Sequence, residues 1–227
     1  MMSMDKMLQE LPIGVQDFVA MRQDNLLYVD KTARLKELVT SGRRYFLSRP
    51  RRFGKSLTIS TLDAMFSGKV DLFKGLAAEK WVTDQAKHPA PVLRLDMAHY
   101  LTGDKKSFDQ SLYINLKVFG QKHGFSMPRG DAEGAEGALK DVIEGLYDDK
   151  GSVVVLIDEY DKPILDNIGD MNDANEMRQT LRSFYTVLKS CDEYLRFVML
   201  TGISKFSKTG VFSAMNNLED ISMDHQY

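Results

Sequence analysis

The sequence predicts an α/β fold built on a mostly parallel sheet of five strands, with helices on both faces. Short apolar runs alternate along the chain with helical patterns of about ten residues or more, an order typical of parallel sheets with crossover helices. Residues 153–157 form the strongest run, five branched apolar residues without polar alternation. Such a run indicates a strand that is covered on both faces, as the strands of a parallel sheet are.

The composition is that of an ordinary globular protein. The chain has 227 residues, of which 43% are hydrophobic and 27% charged, so it is long enough to bury a sizeable core. The 30 basic and 32 acidic residues give a net charge of −2, which provides no overall attraction to nucleic acid or to an anionic membrane. Cys191 is the only cysteine, which excludes an intramolecular disulfide. Because the sequence shows no apolar segment of transmembrane length and no signal-peptide pattern, we expect a cytoplasmic protein without a membrane partner.

The first half of the chain reads as helix, strand, helix and strand. Serine–glycine pairs at 41–42 and 67–68 end two segments whose apolar residues recur at helical spacing, and Pro89 and Pro91 precede an apolar run. We predict a helix over residues 32–39, a strand over 44–48, a loop over 49–54, a helix over 55–66 and a strand over 92–96.

The second half continues the alternation of helices and strands. A polar linker with glycine and proline, residues 124–134, separates two helical patterns, and Gly202 ends an apolar run. We predict helices over residues 108–119, 133–147 and 172–189, and strands over 153–157, 196–201 and 219–223.

The loop after the first predicted strand carries most of a phosphate-binding pattern. Gly54, Lys55 and Ser56 match the end of G-x-x-x-x-G-K-[ST], whereas Arg49 stands where the pattern has its first glycine. A glycine lets successive amides face one anion, and the following helix adds its positive end. Lys55 would reach the β- and γ-phosphates and Ser56 would ligate Mg²⁺. The alternative is a basic surface turn before a helix. The predicted nucleotide-binding residues are Arg49, Pro50, Arg51, Arg52, Phe53, Gly54, Lys55, Ser56 and Leu57.

Residues 153–161 supply the acidic partner of this loop. An apolar strand that ends in Asp158 is typical of a Walker-B strand, whose carboxylate holds Mg²⁺, and Glu159 is then the expected general base for an attacking water. The alternative is a solvated acidic turn, and Asp161 has no assigned role. In nucleotidases with such an acidic strand, the next strand along the chain usually lies between the strand before the phosphate loop and the acidic strand. Thr201 at its tip is therefore the expected γ-phosphate sensor, unless it only caps the strand, and Ser204 and Lys205 are weaker candidates. The predicted catalytic residues are Glu159, Lys55 and Thr201, and the predicted metal ligands are Ser56 and Asp158.

Several stretches of this chain resemble the bacterial AAA-ATPase-like family. They are residues 11–18, 28–32, 48–57, 155–161, 200–205 and 216–220. The resemblance implies a three-layer P-loop NTPase sandwich of the additional-strand, catalytic-glutamate type, in which an arginine at the position of Arg49 is normal. It also implies ATP and Mg²⁺ as ligands, and a helical lid and a C-terminal PD-(D/E)XK nuclease-like domain that this chain lacks. We therefore expect a C-terminally truncated protein with an N-terminal segment, 1–40, packed on a P-loop ATPase core, 41–227.

Three functions remain open at this stage. The first is a Mg²⁺-dependent ATPase that powers or regulates an attached domain or partner, with an arginine finger from a neighbouring subunit of a homo-oligomer. The second is a nucleotide-binding switch or scaffold with little hydrolysis. The third is a nucleic-acid-associated module that uses Arg43, Arg44, Arg49, Arg51 and Arg52.

The segment before the first strand admits two interpretations. In related ATPases it lies near the adenine, where Tyr28 or Phe18 would stack and Asp30 would orient the loop. Packing on the sheet is the simpler interpretation. His99 and His123 are isolated in the sequence, so no zinc site is expected.

Overall fold

The computed structural model describes residues 9–100, 102–127, 134–204 and 218–224. Its centre is a five-stranded sheet in the order β2-β3-β4-β1-β5, and every strand pair in it is parallel. The predicted parallel α/β fold is therefore confirmed. The strands are β1 (Arg44–Ser48), β2 (Val92–Asp96), β3 (Val153–Asp158), β4 (Leu195–Gly202) and β5 (Glu219–Asp220).

Helices cover both faces of the sheet and so complete a three-layer sandwich. They are α1 (Phe18–Gln23), α2 (Thr32–Ser41), α3 (Lys55–Phe66), α4 (Glu79–Gln85), α5 (Lys105–Lys122), α6 (Gly134–Lys150), α7 (Lys162–Asp166) and α8 (Met171–Ser190). One apolar core lies between the sheet and α5, α6 and α8, and a second lies between the sheet and α1, α2, α3 and α4. β3 is buried along its whole length because each core takes alternate side chains of the strand.

The register of the strands brings the predicted site residues to one end of the sheet. β4 lies between β1 and β3, as predicted for the strand that follows an acidic strand. Leu47 of β1 is opposite Thr201 of β4, and Asp96 of β2 is opposite Asp158 of β3. Parallel strands end at the same edge of the sheet. The phosphate loop (residues 49–56), which follows β1, and the carboxylates of Asp96 and Asp158 therefore lie at that edge.

Differences from the predicted elements concern short helices, helix ends and the last strand, since β5 ends at Asp220 whereas a strand over residues 219–223 was predicted. The predicted bounds of β1, α3 and β2 agree with the structure, whereas α1, α4 and α7 were not predicted. Helix α5 begins three residues before its predicted start, since the Asp104 carboxylate accepts a hydrogen bond from the Ser107 amide. Lys205 and residues 216–217, which the sequence singles out, lie outside the described residues. Among the described helices, none is both long enough and apolar enough to cross a membrane.

Candidate functional site

The phosphate loop connects the end of β1 to the start of α3. The Arg49 amide donates to the Gly202 carbonyl at 3.1 Å, so the loop leaves the sheet beside the end of β4. Gly54 is the N-cap of α3 and has a φ of +75°, in the left-handed region that favours glycine. The space around Gly54 is open, with no heavy atom within 4 Å of an added Cβ. Glycine is therefore required here by backbone conformation and not by crowding.

Lys55 is almost buried at the first position of α3, with 6% of its surface exposed. Its ammonium donates to the carbonyls of Arg49 (2.9 Å) and Pro50 (3.0 Å), which fastens the helix to the start of the phosphate loop. An ammonium group has three N–H donors, so these bonds leave one for an anion. Ser56 follows on the same helix turn, half-buried, and Leu57 packs against the core.

Asp158 at the end of β3 holds a carboxylate with one satisfied and one unsatisfied oxygen. The residue is 1% exposed, and its Oδ1 accepts from the Thr201 hydroxyl and from the Glu159 amide. Its Oδ2 is buried and has no hydrogen-bond partner among the described residues. Burying a neutral polar group without a hydrogen bond costs about 1–3 kcal/mol of stability, and a carboxylate oxygen costs more. A bound hard cation removes that cost. The donor chemistry at Asp158 therefore fits a hard divalent cation such as Mg²⁺.

Glu159 has an unusual backbone and a perturbed carboxyl group. Its φ of +51° lies in the left-handed region, which costs a residue other than glycine roughly 1–2 kcal/mol. Partial burial raises the pKa of the Glu159 carboxyl, and the charges of Asp158 and Asp96 raise it further, while Lys55 lowers it. The charge of Lys55 in the phosphate loop therefore acts on the Glu159 carboxyl at the end of β3.

Asp96 is a further carboxylate at this edge of the sheet, and the sequence analysis did not single it out. It ends β2 opposite Asp158, and its Oδ1 accepts from the Ala98 amide at 3.0 Å. Its Oδ2 lies 3.0 Å from Nδ1 of His99. The available signal was its place at the carboxyl end of a predicted strand, where ligands of parallel sheets bind. Within the described residues no group of three or more His, Cys, Asp or Glu forms a metal site, and Mg²⁺ needs only one or two carboxylates beside phosphate oxygens.

A cavity of about 610 Å³ opens beside the phosphate loop. This volume is within the range of small-molecule sites. Its wall is largely apolar and comes from the N-terminal segment, α2, α3 and strand ends, including Tyr28, Leu35, Gly54, Leu57 and Met199.

The candidate residues of the N-terminal segment occupy different environments in the structure. Phe18 is fully buried against Phe73 and lies outside the cavity lining, whereas Tyr28 is part of it. The Asp30 carboxylate accepts from Thr32 and from the Ala77 amide, so it orients the start of α2 rather than the phosphate loop.

The arginines around β1 also separate in the structure. Arg44 is 8% exposed, and its guanidinium donates to the Asp192 carboxylate and the Leu195 carbonyl. It is therefore part of the fold and contributes nothing to a basic surface. Arg51 and Arg52 are exposed beside Phe53, which is 66% exposed.

Comparison with known proteins adds a family and one curated relative. The family model described as "Predicted AAA-ATPase" matches residues 12–212. An uncharacterized protein in the vnfD 5′ region of Azotobacter chroococcum mcd 1 is 41% identical over 221 residues, which cover 96% of this chain and 42% of the relative. The chain thus spans less than half the length of that relative. No solved structure matches the chain significantly.

Proposed function

The chain belongs to the AAA-ATPase-like family, and we propose that it binds Mg²⁺·ATP at the phosphate loop and hydrolyses it with Glu159 as the general base. The observation that carries this proposal is the buried Oδ2 of Asp158, which has no hydrogen-bond partner in the described part of the chain. Only β4 separates its strand, β3, from β1, which leads into the phosphate loop. Strands lie about 4.8 Å apart, so β3 and β1 are separated by roughly 10 Å. That gap suits a triphosphate tail with its cation.

Each site residue has a specific task in this reaction. Amides of the phosphate loop and the start of α3 hold the β- and γ-phosphates, and Lys55 neutralises charge that develops on them. Glu159 accepts a proton from a water as that water's oxygen bonds to the γ-phosphorus and the bond to the β–γ bridging oxygen breaks. Thr201 holds Asp158 in place through its hydroxyl. When bound by Asp158 and Ser56, Mg²⁺ would supply charge neutralisation on the phosphate oxygens.

The cavity beside the phosphate loop supports a place for the nucleoside. It adjoins Gly54 and Leu57, and its apolar wall suits a base, with Tyr28 as the aromatic contact. We expect a preference for ATP over GTP to be decided there. A larger rise of the melting temperature with ATP-Mg²⁺ than with GTP-Mg²⁺ would show the preference for ATP.

The relative's greater length supports a regulatory context for this ATPase. More than half of that protein lies outside the matched region, and we propose that the nucleotide cycle powers or regulates such an attached domain or a partner. An arginine finger from a second subunit and an attached nuclease-like domain stay predictions.

Thermal unfolding with and without Mg²⁺·ATP tests the binding step. At 100 times Kd, a ligand stabilises the fold by about 2.7 kcal/mol, which for a chain of this size is a rise of roughly 5–11 °C in Tm. Lys55→Ala should lose this rise, whereas Lys36→Ala, on the exposed side of α2, should keep it. A rise that persists in Lys55→Ala would show that the phosphates bind elsewhere.

Measuring ATP turnover distinguishes an ATPase from a nucleotide-binding switch. Glu159→Gln should keep the ATP-dependent rise in Tm and lower kcat by about 100-fold or more, the usual contribution of a general base. Equal turnover in Glu159→Gln and wild type would remove Glu159 as the base. Binding without turnover in wild type would favour the nucleotide-binding switch.

A further inference from the structure

Asp161 is a buried carboxylate that the proposed chemistry does not use. It is 1% exposed and occupies the N-cap position of α7, yet its side chain caps no amide of that helix. Aspartate at this position usually accepts a hydrogen bond from its own helix. Here the Asp161 Oδ2 accepts instead from the amides of Ile203 (3.0 Å) and Ser204 (2.7 Å), just beyond β4.

Tyr160 fastens the same segment from the neighbouring position. Its amide donates to the Thr201 carbonyl and its hydroxyl to the Ser204 carbonyl, both at 2.9 Å. Its fully buried ring lies against Gly202, where an added Cβ would be 2.4 Å from the ring. The end of β4 is therefore held by Tyr160 and Asp161, two and three positions after Asp158.

These contacts act on the oxygen that is left for the cation. The Thr201 hydroxyl and the Glu159 amide both donate to Asp158 Oδ1, so Oδ2 is the oxygen without a donor among the residues that the structure describes. If the backbone beyond Thr201 moved, the Thr201 hydroxyl would leave Oδ1, and the Asp158 carboxylate would lose one of the two donors that fix its orientation. Partners that orient a metal ligand typically change metal affinity or activity by 10–100-fold when they are removed.

We propose that Asp161, assisted by Tyr160, is a positioning residue that fixes Thr201 and thereby presents Asp158 Oδ2 to the metal of the bound nucleotide. This proposal rests on the proposed function. It assigns the two residues after Glu159 to the geometry of the metal ligand rather than to contact with the nucleotide.

Binding of Mn²⁺ in the presence of ADP, followed by electron paramagnetic resonance, tests the proposal without turnover. Asp161→Ala removes the acceptor of both amides and should weaken Mn²⁺ binding about 10–100-fold, with a parallel fall in kcat and an unchanged KM for ATP. Asp161→Asn can keep an oxygen at the position of Oδ2 and should show a smaller loss. Tyr160→Phe keeps the ring on Gly202 and loses only the hydroxyl, so a modest loss in the same direction is expected.

Asp104→Ala is the matched control for lost stability. It removes a side-chain cap from α5, whose cost is about 1 kcal/mol, at a position outside the site. Asp104→Ala should bind Mn²⁺–ADP like wild type. If Asp161→Ala folded and bound Mn²⁺ like wild type, the positioning role would be overturned. If Asp161→Ala did not fold, Tyr160→Phe would decide, and Mn²⁺ binding like that of wild type in Tyr160→Phe would overturn the role. If wild type bound no Mn²⁺–ADP, the proposed function would fail and the positioning role with it.

Discussion

Gly202→Ala should destabilise the fold because the added methyl has no space. Its Cβ would lie 2.4 Å from Cε1 and 2.5 Å from Cδ1 of Tyr160, and 2.8 Å from Oδ1 of Asp161. Separations below 3.0 Å essentially never occur for a real Cβ. The Tyr160 ring cannot turn aside, since it is fully buried and packs edge-on against Phe46 at 5.4 Å between centroids.

The expected cost follows from overpacking. An extra methyl group in a well-packed interior costs about 1–3 kcal/mol. For a domain of this size, 1 kcal/mol lowers Tm by about 2–4 °C, so Gly202→Ala should lower Tm by roughly 2–12 °C. Thermal unfolding followed by circular dichroism at one fixed scan rate measures the difference.

Gly103→Ala and a double-mutant cycle provide the controls. Gly103 is exposed and has no heavy atom within 4 Å of an added Cβ, so the same chemical change should alter stability by less than about 1 kcal/mol there. In a Tyr160→Ala background, Gly202→Ala should lose much of its cost because the ring is gone. If Gly202→Ala had the same Tm as Gly103→Ala, the packing of Tyr160 on the end of β4 would be refuted.

Three further changes test other contacts of the fold. Arg44→Ala should lower the free energy of unfolding by about 1–3 kcal/mol in a urea titration, since it leaves buried carbonyls unpaired, whereas exposed Arg43→Ala should change it by less than about 0.5 kcal/mol. Burial raises the pKa of Asp30, but hydrogen bonds from a threonine and from backbone amides outweigh burial and lower the pKa below its usual value. Its stabilising contribution is therefore present above about pH 4 and lost as the pH falls, so Tm should fall less steeply below about pH 5 in Asp30→Asn than in wild type. Thr201→Val should cost about 1–3 kcal/mol because Asp158 Oδ1 loses its buried hydroxyl donor, and Thr201→Ser should restore most of it.

The sequence predicted the sheet well because the determinants of its strands are local. β1, β2 and α3 have the predicted bounds, since each is an apolar segment with glycine or proline close to at least one end. The short helices were missed because five to seven residues hold too little periodicity. α1 instead depends on contacts far along the chain, such as the hydrogen bond from the Phe18 amide to the Ser60 hydroxyl.

The candidate site was predictable in its residue types but not in its contacts. Gly54, Lys55 and Asp158 could be predicted as site residues because each belongs to a short segment with a recognisable pattern. The partners of Lys55 and Asp161 had no such signal. Asp161 meets backbone amides about forty residues away, and backbone amides are the same in every sequence. Only the strand order, with β4 between β1 and β3, brings these groups together.

Two departures from low-energy structure fall on consecutive residues of this site. Asp158 carries a buried oxygen to which no described residue donates a hydrogen bond, and Glu159 has a left-handed backbone. Each costs stability, and such costs persist only where the surrounding contacts fix the conformation. Those contacts are the Thr201 hydroxyl and the bonds of Tyr160 and Asp161 to the end of β4. It follows that Glu159→Gly should relieve backbone strain and raise Tm, unlike Glu159→Gln, which keeps the left-handed conformation. Both should lower kcat by about 100-fold or more, and a lower Tm for Glu159→Gly than for wild type would contradict the inferred backbone strain at this position.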